Sequence, residues 1–123
     1  MNTKDKGNWG EDRVCEYLTM HGYRIVRRNF HTRFGEIDII AKDDDTVVFV
    51  EVKSRKSKWF ATAAEYVDYN KQKKIIMSAR CYLANSPDVN ARFDVAEVYY
   101  KSCDEVLELI EINYIKDAFM VNE

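Results

Sequence analysis

Apolar positions in this chain follow two rhythms, alternation in several stretches and helical spacing in others, so the pattern predicts strands and helices in mixture. In residues 8–21, Val14, Cys15 and Leu18 form one helical face, and Gly22 follows where a helix stop is expected. Glu11 continues that face; it is either a solvated first-turn glutamate favoured by the helix dipole or an inward carboxylate. Residues 23–30 alternate, and their arginines mark a strand at or near a sheet edge; residues 31–35 read as a loop. The most apolar segment comes next, as two β-branched runs at 37–41 and 47–52 around Asp43-Asp44-Asp45-Thr46, the signature of an antiparallel hairpin. Residues 61–67 and 70–85 predict a short and a longer helix, or one continuous helix, stopped before Pro87. Ile75, Ile76, Ala79, Tyr82 and Leu83 form its inward stripe. Residues 92–101 and 105–114 alternate again as strands, and 115–123 are expected to be a short helical end or a frayed tail.

Charges interrupt the hairpin. A two-residue turn closed by Asp43 and Thr46 puts Asp38 opposite Glu51, and Glu36 opposite Lys53; a slip by one residue would set Asp38 beside Val50 or Val52. In the first register Ile37, Ile39 and Ala41 share a face with Val48, Val50 and Val52, while Ile40 joins Val47 and Phe49 on the other. Both faces are apolar, so cover on both sides is expected, giving an α/β layered domain with about five strands. Like charges directly opposed on a sheet destabilise it, and buried unpaired carboxylates cost more. Such a pair calls for a cation, a shared proton or a metal.

Composition narrows the class. The chain has 123 residues, 46% apolar and 33% charged, with a net charge of −2, the profile of one soluble globular domain. No apolar run approaches the roughly 20 residues of a membrane helix, and residues 1–7 contain no apolar leader, so a cytoplasmic protein is expected. Cys15, Cys81 and Cys103 are odd in number and widely spaced, which fits reduced thiols. With His21 and His31 they form no zinc spacing, so a metal here would take oxygen ligands. Charge is uneven: residues 104–123 hold six acids and one lysine, leaving a basic balance in the remainder.

The cluster has a chemistry. Asp38, Glu51 and Lys53 converge on one sheet face, with Glu11 as a third carboxylate from a covering helix. Hard oxygens with open positions suit Mg²⁺ or Mn²⁺, which keep waters and bind phosphate oxygens. Lys53 could orient or deprotonate an attacking water, or stabilise the charged transition state; in the alternative, it neutralises one carboxylate of a structural ion cluster. Residues 54–60 form a basic loop, with Arg55, Lys56 and Lys58 suited to phosphates. Trp59 and Phe60 serve either base stacking or the packing of the next helix. Lys71 lies one turn before Ile75, either solvated or directed at the sheet.

The Asp38…Glu51-Val52-Lys53 arrangement resembles the PD-(D/E)xK nuclease motif, with Ile37 in place of the proline. More closely, Gly7-x-x-Gly10-Glu11, Gly22-Tyr23, Arg28-Asn29, Gly35-Glu36-Ile37-Asp38-Ile39-Ile40-Ala41, Val48-Phe49-Val50-Glu51-Val52-Lys53-Ser54-Arg55, Ala64-Glu65-Tyr66-Val67, Lys71 and Arg92-Phe93-Asp94-Val95 resemble the YraN-like family of uncharacterised bacterial proteins. That family is in turn similar to archaeal Holliday-junction resolvases. The resemblance implies a restriction-endonuclease-like α/β/α sandwich with a mixed central sheet of about five strands. It also implies a metal site at Asp38, Glu51 and Glu11 with Lys53 catalytic, and Glu36 and Lys71 in support. The implied activity is metal-assisted hydrolysis of DNA rather than RNA, with branched DNA in recombination or repair among the substrates. A homodimer would supply two sites for two strands. The rival expectation is a nucleic-acid-binding or adaptor protein that keeps the nuclease fold without cleaving.

Overall fold

A computed structural model describes residues 2–56, 67–86 and 88–120. Helix α1 spans Thr3–Met20, starting five residues earlier than the apolar stripe indicates because Asn2 caps it, accepting the Asp5 N–H at 2.9 Å. Its end is the predicted one. Gly22 turns the chain at φ +85, its N–H reaches Thr19 O, and the Tyr23 N–H reaches Leu18 O at 2.9 Å. These two bonds make a Schellman stop, sealed by Tyr23 and Leu18 in one core cluster.

Five strands follow in one mixed sheet of order β1-β2-β3-β4-β5. They are β1 (Arg24–Thr32), β2 (Gly35–Asp43), β3 (Thr46–Arg55), β4 (Asn90–Cys103) and β5 (Val106–Phe119), with helix α2 (Tyr69–Tyr82) between β3 and β4. β3 and β4 pair parallel and the other neighbours antiparallel, so the chain must cross over between β3 and β4, and α2 lies in that connection. The edge position predicted for residues 23–30 holds. The loop expected at 31–35 is instead a tight hairpin: Thr32 pairs with Gly35, leaving only Arg33 and Phe34 as the turn.

The two faces carry separate cores. Val14 and Leu18 of α1 meet Ile39, Ala41, Val48, Val50, Ala96 and Val98. On the other side Ile75 and Ala79 of α2 meet Ile37, Ile40, Val47, Phe49, Phe93 and Phe119. The stripe read for α2 faces inward, but the helix ends at Tyr82, three residues before the expected stop. The expected helix at 61–66, with Lys58, Trp59 and Phe60, lies outside the described residues. Val67 is buried and precedes the N-cap Asp68.

Two expectations are corrected. Residues 115–119 are neither helix nor frayed; they continue β5 and bury Phe119 against Phe93 at 5.0 Å between ring centres. Ile37 packs on the α2 side, opposite Ile39 and Ala41, because the β2–β3 ladder holds only from Asp43↔Thr46 to Ile39↔Val50. Beyond Ile39 the regular alternation ends, and Asn29, on β1 beside this point, takes φ +54.

Candidate functional site

The hairpin closes around Asp44-Asp45 in the predicted register. Asp38 and Glu51 do not form the next rung. The strands part there, and Asp38 Oδ2 accepts the Val52 N–H at 2.8 Å in place of a backbone carbonyl. The same opening leaves both carboxylates on one cavity, near enough for the charge of Glu51 to act on Asp38. Glu51 is only 5% exposed, and Asp38 is pushed up to about 8, first by burial and then by the charge of Glu51. The Val52 amide opposes that shift and the more distant Glu11 adds to it.

α2 supplies the counter-charge. Lys71 Nζ stands 2.5 Å from Glu51 Oε1, with half its side chain exposed. Burial works against the ammonium, but the contact with Glu51 and the charges of Glu51, Asp38 and Asp68 outweigh it and raise its pKa. Of the two readings open for Lys71, the geometry takes the inward one. Asp68 fixes this turn of helix by accepting the Lys71 N–H at 2.9 Å. A cavity of about 440 Å³ opens in front, lined by Gly35, Glu36, Asp38, Glu51, Asp68, Asn70, Lys71, Lys74 and Ile75.

Glu11 approaches from the other side of the sheet. Gly10 is buried against Val52 and Ser54, and any Cβ there would displace the Ser54 hydroxyl, so the glycine lets α1 lie close on the end of β3. The Glu11 carboxylate is directed at Arg28, 3.4 Å away, and Arg28 also holds Asp12 at 2.7 Å. Burial raises the Glu11 pKa, with Arg28 pulling against it and Glu36 adding to it. Among the described residues no three His, Cys, Asp or Glu side chains stand together as a metal-holding group. Of the expected trio, Asp38 and Glu51 line the cavity together and Glu11 pairs with Arg28. That pairing joins α1 to β1, where no local pattern shows it.

Lys53 follows Glu51 by two residues, on the strand side that alternation gives to Val47, Phe49 and Glu51, yet it does not line the cavity. Glu36 does line it, with the His31 ring 4.0 Å from its carboxylate. Arg55 pairs with Glu97 at 3.5 Å and Lys56 is exposed. Asp68 and Asn70 join the cavity without an expectation of their own, and Lys74, expected on the outer side of α2, lines it too; an Asp directly ahead of a helix is the capping signal that finds Asp68. The residue pattern gives no sign of the polar network behind the site. Asp94 is fully buried, and accepts Arg92 Nε at 3.1 Å, the Tyr114 hydroxyl at 2.6 Å and the Asp117 N–H at 3.0 Å. Arg92 reaches on to Asp43 and Tyr23, so the hairpin turn and both β4 and β5 are tied together. Every charge in it is answered, which marks a fold-specifying network.

Residues 10–98 match the Uncharacterised protein family UPF0102. The chain belongs to that family. A UPF0102 protein of Caldicellulosiruptor bescii is 45% identical over 122 residues, covering 97% of this chain and all of its own length. A UPF0102 protein of Clostridioides difficile is 44% identical over 121 residues, with 97% and 100% covered. One from Persephonella marina is 41% identical over 112 residues, with 89% and 96% covered. The resemblance drawn from the motifs is thus borne out at the level of the family. The span matched to UPF0102 opens at Gly10 and closes at Val98, so it contains the whole cavity and leaves β5 outside. No described helix is long and apolar enough to cross a membrane.

Proposed function

We propose that this chain is a divalent-metal-dependent endonuclease on a restriction-endonuclease-like fold, hydrolysing phosphodiester bonds in DNA, branched DNA included. The observation that carries the reading is that Asp38 and Glu51 line one cavity at an opened sheet, flanked by Lys71 and Lys74. A folded chain gains nothing by setting a buried Glu51 beside a half-buried Asp38; their cost is offset by what they hold. The donor set fits Mg²⁺ or Mn²⁺: two hard carboxylates with room beside them for waters and phosphate oxygens, as Mg²⁺ prefers. When bound, such an ion supplies charge neutralisation and water activation.

The chain's own residues do the remainder. Asp38 and Glu51 would hold the cation, and binding it would be coupled to loss of the proton that Asp38 retains. Lys71, half exposed on Glu51, binds a phosphate oxygen of the substrate and positions the strand. Lys53 is assigned to the water or to the developing charge. Glu11 supports the site through the Arg28 pair, as a positioning residue. A specific observation favours the second reading, binding without cleavage: Glu11 is held by Arg28 rather than by the acidic pair.

The test is a panel of linear, flapped and four-way DNA, with RNA, incubated with Mg²⁺ or Mn²⁺. The expected result is DNA cleavage that falls at least about a hundredfold in Asp38→Asn and Lys53→Ala, as expected of groups that act in the transition state. Cleavage that survives both substitutions would sink the mechanism. Binding across the panel with no cleavage would favour the adaptor.

A further inference from the structure

We infer that Phe34 is a base-stacking residue, presented by the β1–β2 turn at the edge of the Asp38–Glu51 cavity to an unpaired nucleotide. The site then selects DNA with a single-stranded or branched element beside the scissile phosphate. This rests on the nucleic-acid reading of the cavity and adds which feature of the substrate it recognises.

Three observations converge on that turn. The first is what Phe34 does not do. Among the described residues, Phe30, Phe49, Phe93 and Phe119 all join the α2-side core, whereas Phe34 belongs to neither core cluster and is half-buried in a two-residue turn. Its ring instead carries the Arg33 guanidinium 4.8 Å from the centroid, and a ring with a cation on it is the pairing that single-stranded nucleic acid uses, base on ring and charge near phosphate.

The second observation is rigidity. The Thr32 hydroxyl accepts the Phe34 N–H at 3.0 Å, bonds Gly35 O at 3.2 Å, and meets the fully buried Ser78 hydroxyl of α2 at 2.8 Å. The backbone of the turn, Phe34 included, is therefore pinned to the helix that carries Lys71 before a ligand arrives. Preorganisation of that kind lowers the entropy lost on binding.

The third is position. Gly35, the next residue, lines the cavity with Asp38 and Glu51, and the Lys74 side chain packs against it. A strand whose phosphate enters this cavity would run beside the turn that Gly35 closes. Stacking at that point requires a base free of its neighbours, which intact duplex does not offer without an unstacking cost of a few kcal/mol.

The experiment compares a fork carrying one unpaired strand with a fully paired duplex of equal length, with Ca²⁺ in place of Mg²⁺ so that binding is read without cleavage. Affinity is measured by fluorescence anisotropy, and stacking by quenching of 2-aminopurine at the first unpaired position. The expected result is tighter binding of the fork than of the duplex by the wild-type chain. Phe34→Ala should then lose about 5- to 100-fold on the fork, the range for one stacked base, with duplex affinity unchanged and quenching abolished. Phe34→Trp should retain both. Equal losses on fork and duplex, no loss in Phe34→Ala, or full recovery by Phe34→Leu would each overturn the proposal. Fork preference with no cleavage in Mg²⁺ would sink the nuclease reading and leave this one standing. Failure of the wild-type chain to bind either DNA would overturn both.

Discussion

Burial and the neighbouring charge of Glu51 hold Asp38 up to about 8, against 3.8 for an ordinary aspartate, and a shift of that sign has a thermodynamic consequence. A carboxyl that binds its proton more tightly in the folded chain than in the unfolded one contributes stability that is full below the unfolded value. That contribution is lost as pH rises through the folded value. Metal-free protein should therefore melt several degrees lower at pH 9 than at pH 6. Asp38→Asn should flatten that difference, and Mg²⁺ or Mn²⁺ should raise the melting temperature most on the alkaline side, where no proton has to be displaced. Thermal unfolding followed by circular dichroism reads all three; an equal pH slope in Asp38→Asn would show that another group is responsible. Asp38 and Glu51 were legible because charges stood where the pattern demanded apolar residues. The Glu11–Arg28 pair was not, since its members are 17 residues apart on different elements.

Among the elements, the β2–β3 hairpin was the most readable, because a two-residue turn and a period of two leave one register. What escaped was the break in that register at Asp38, which turns Ile37 to the α2 side; alternation assumes a regular ladder and carries no sign of where a ladder stops. The docking of α1 depends on a position that periodicity does not see. Gly10→Leu should cost about 1–3 kcal/mol, because the side chain would meet Ser54 Cβ and Val52 where α1 lies close. Gly10→Ala should stay within about 0.5 kcal/mol: the one close contact is the end of an exposed Ser54 side chain, which can rotate away, and alanine favours the helix. Urea unfolding of the two variants checks both numbers. Equal destabilisation by alanine and leucine would mean that the helix tolerates no side chain there at all.

At the level of the molecule, the two-sided sheet followed from apolar runs on both strand faces, but the end of the chain did not. β5 gains two residues on β4 between Ile115 and Phe119, facing only Val95 and Phe93, and Asp117 sits in that bulge at φ +51 with its N–H on Asp94. A bulge destroys the alternation by which residues 115–119 would have been read as strand, while restoring Phe119 to the core. The tail is consequently a structural member. Phe119→Ala should cost about 3–5 kcal/mol, whereas its exposed neighbour in Met120→Ala should change stability by less than about 0.5 kcal/mol. Equilibrium unfolding decides it, and a near-neutral Phe119→Ala would show that β5 ends before the bulge.

One hydrogen bond described above has a use of its own. The Val52 amide gives its proton to a side-chain oxygen of Asp38, not to another strand, so its environment changes whenever that oxygen gains a proton or a cation. In a nitrogen–proton correlation spectrum this single backbone resonance is a spectrometer set inside the site. It reports the state of the carboxylate pair without substrate, label or turnover.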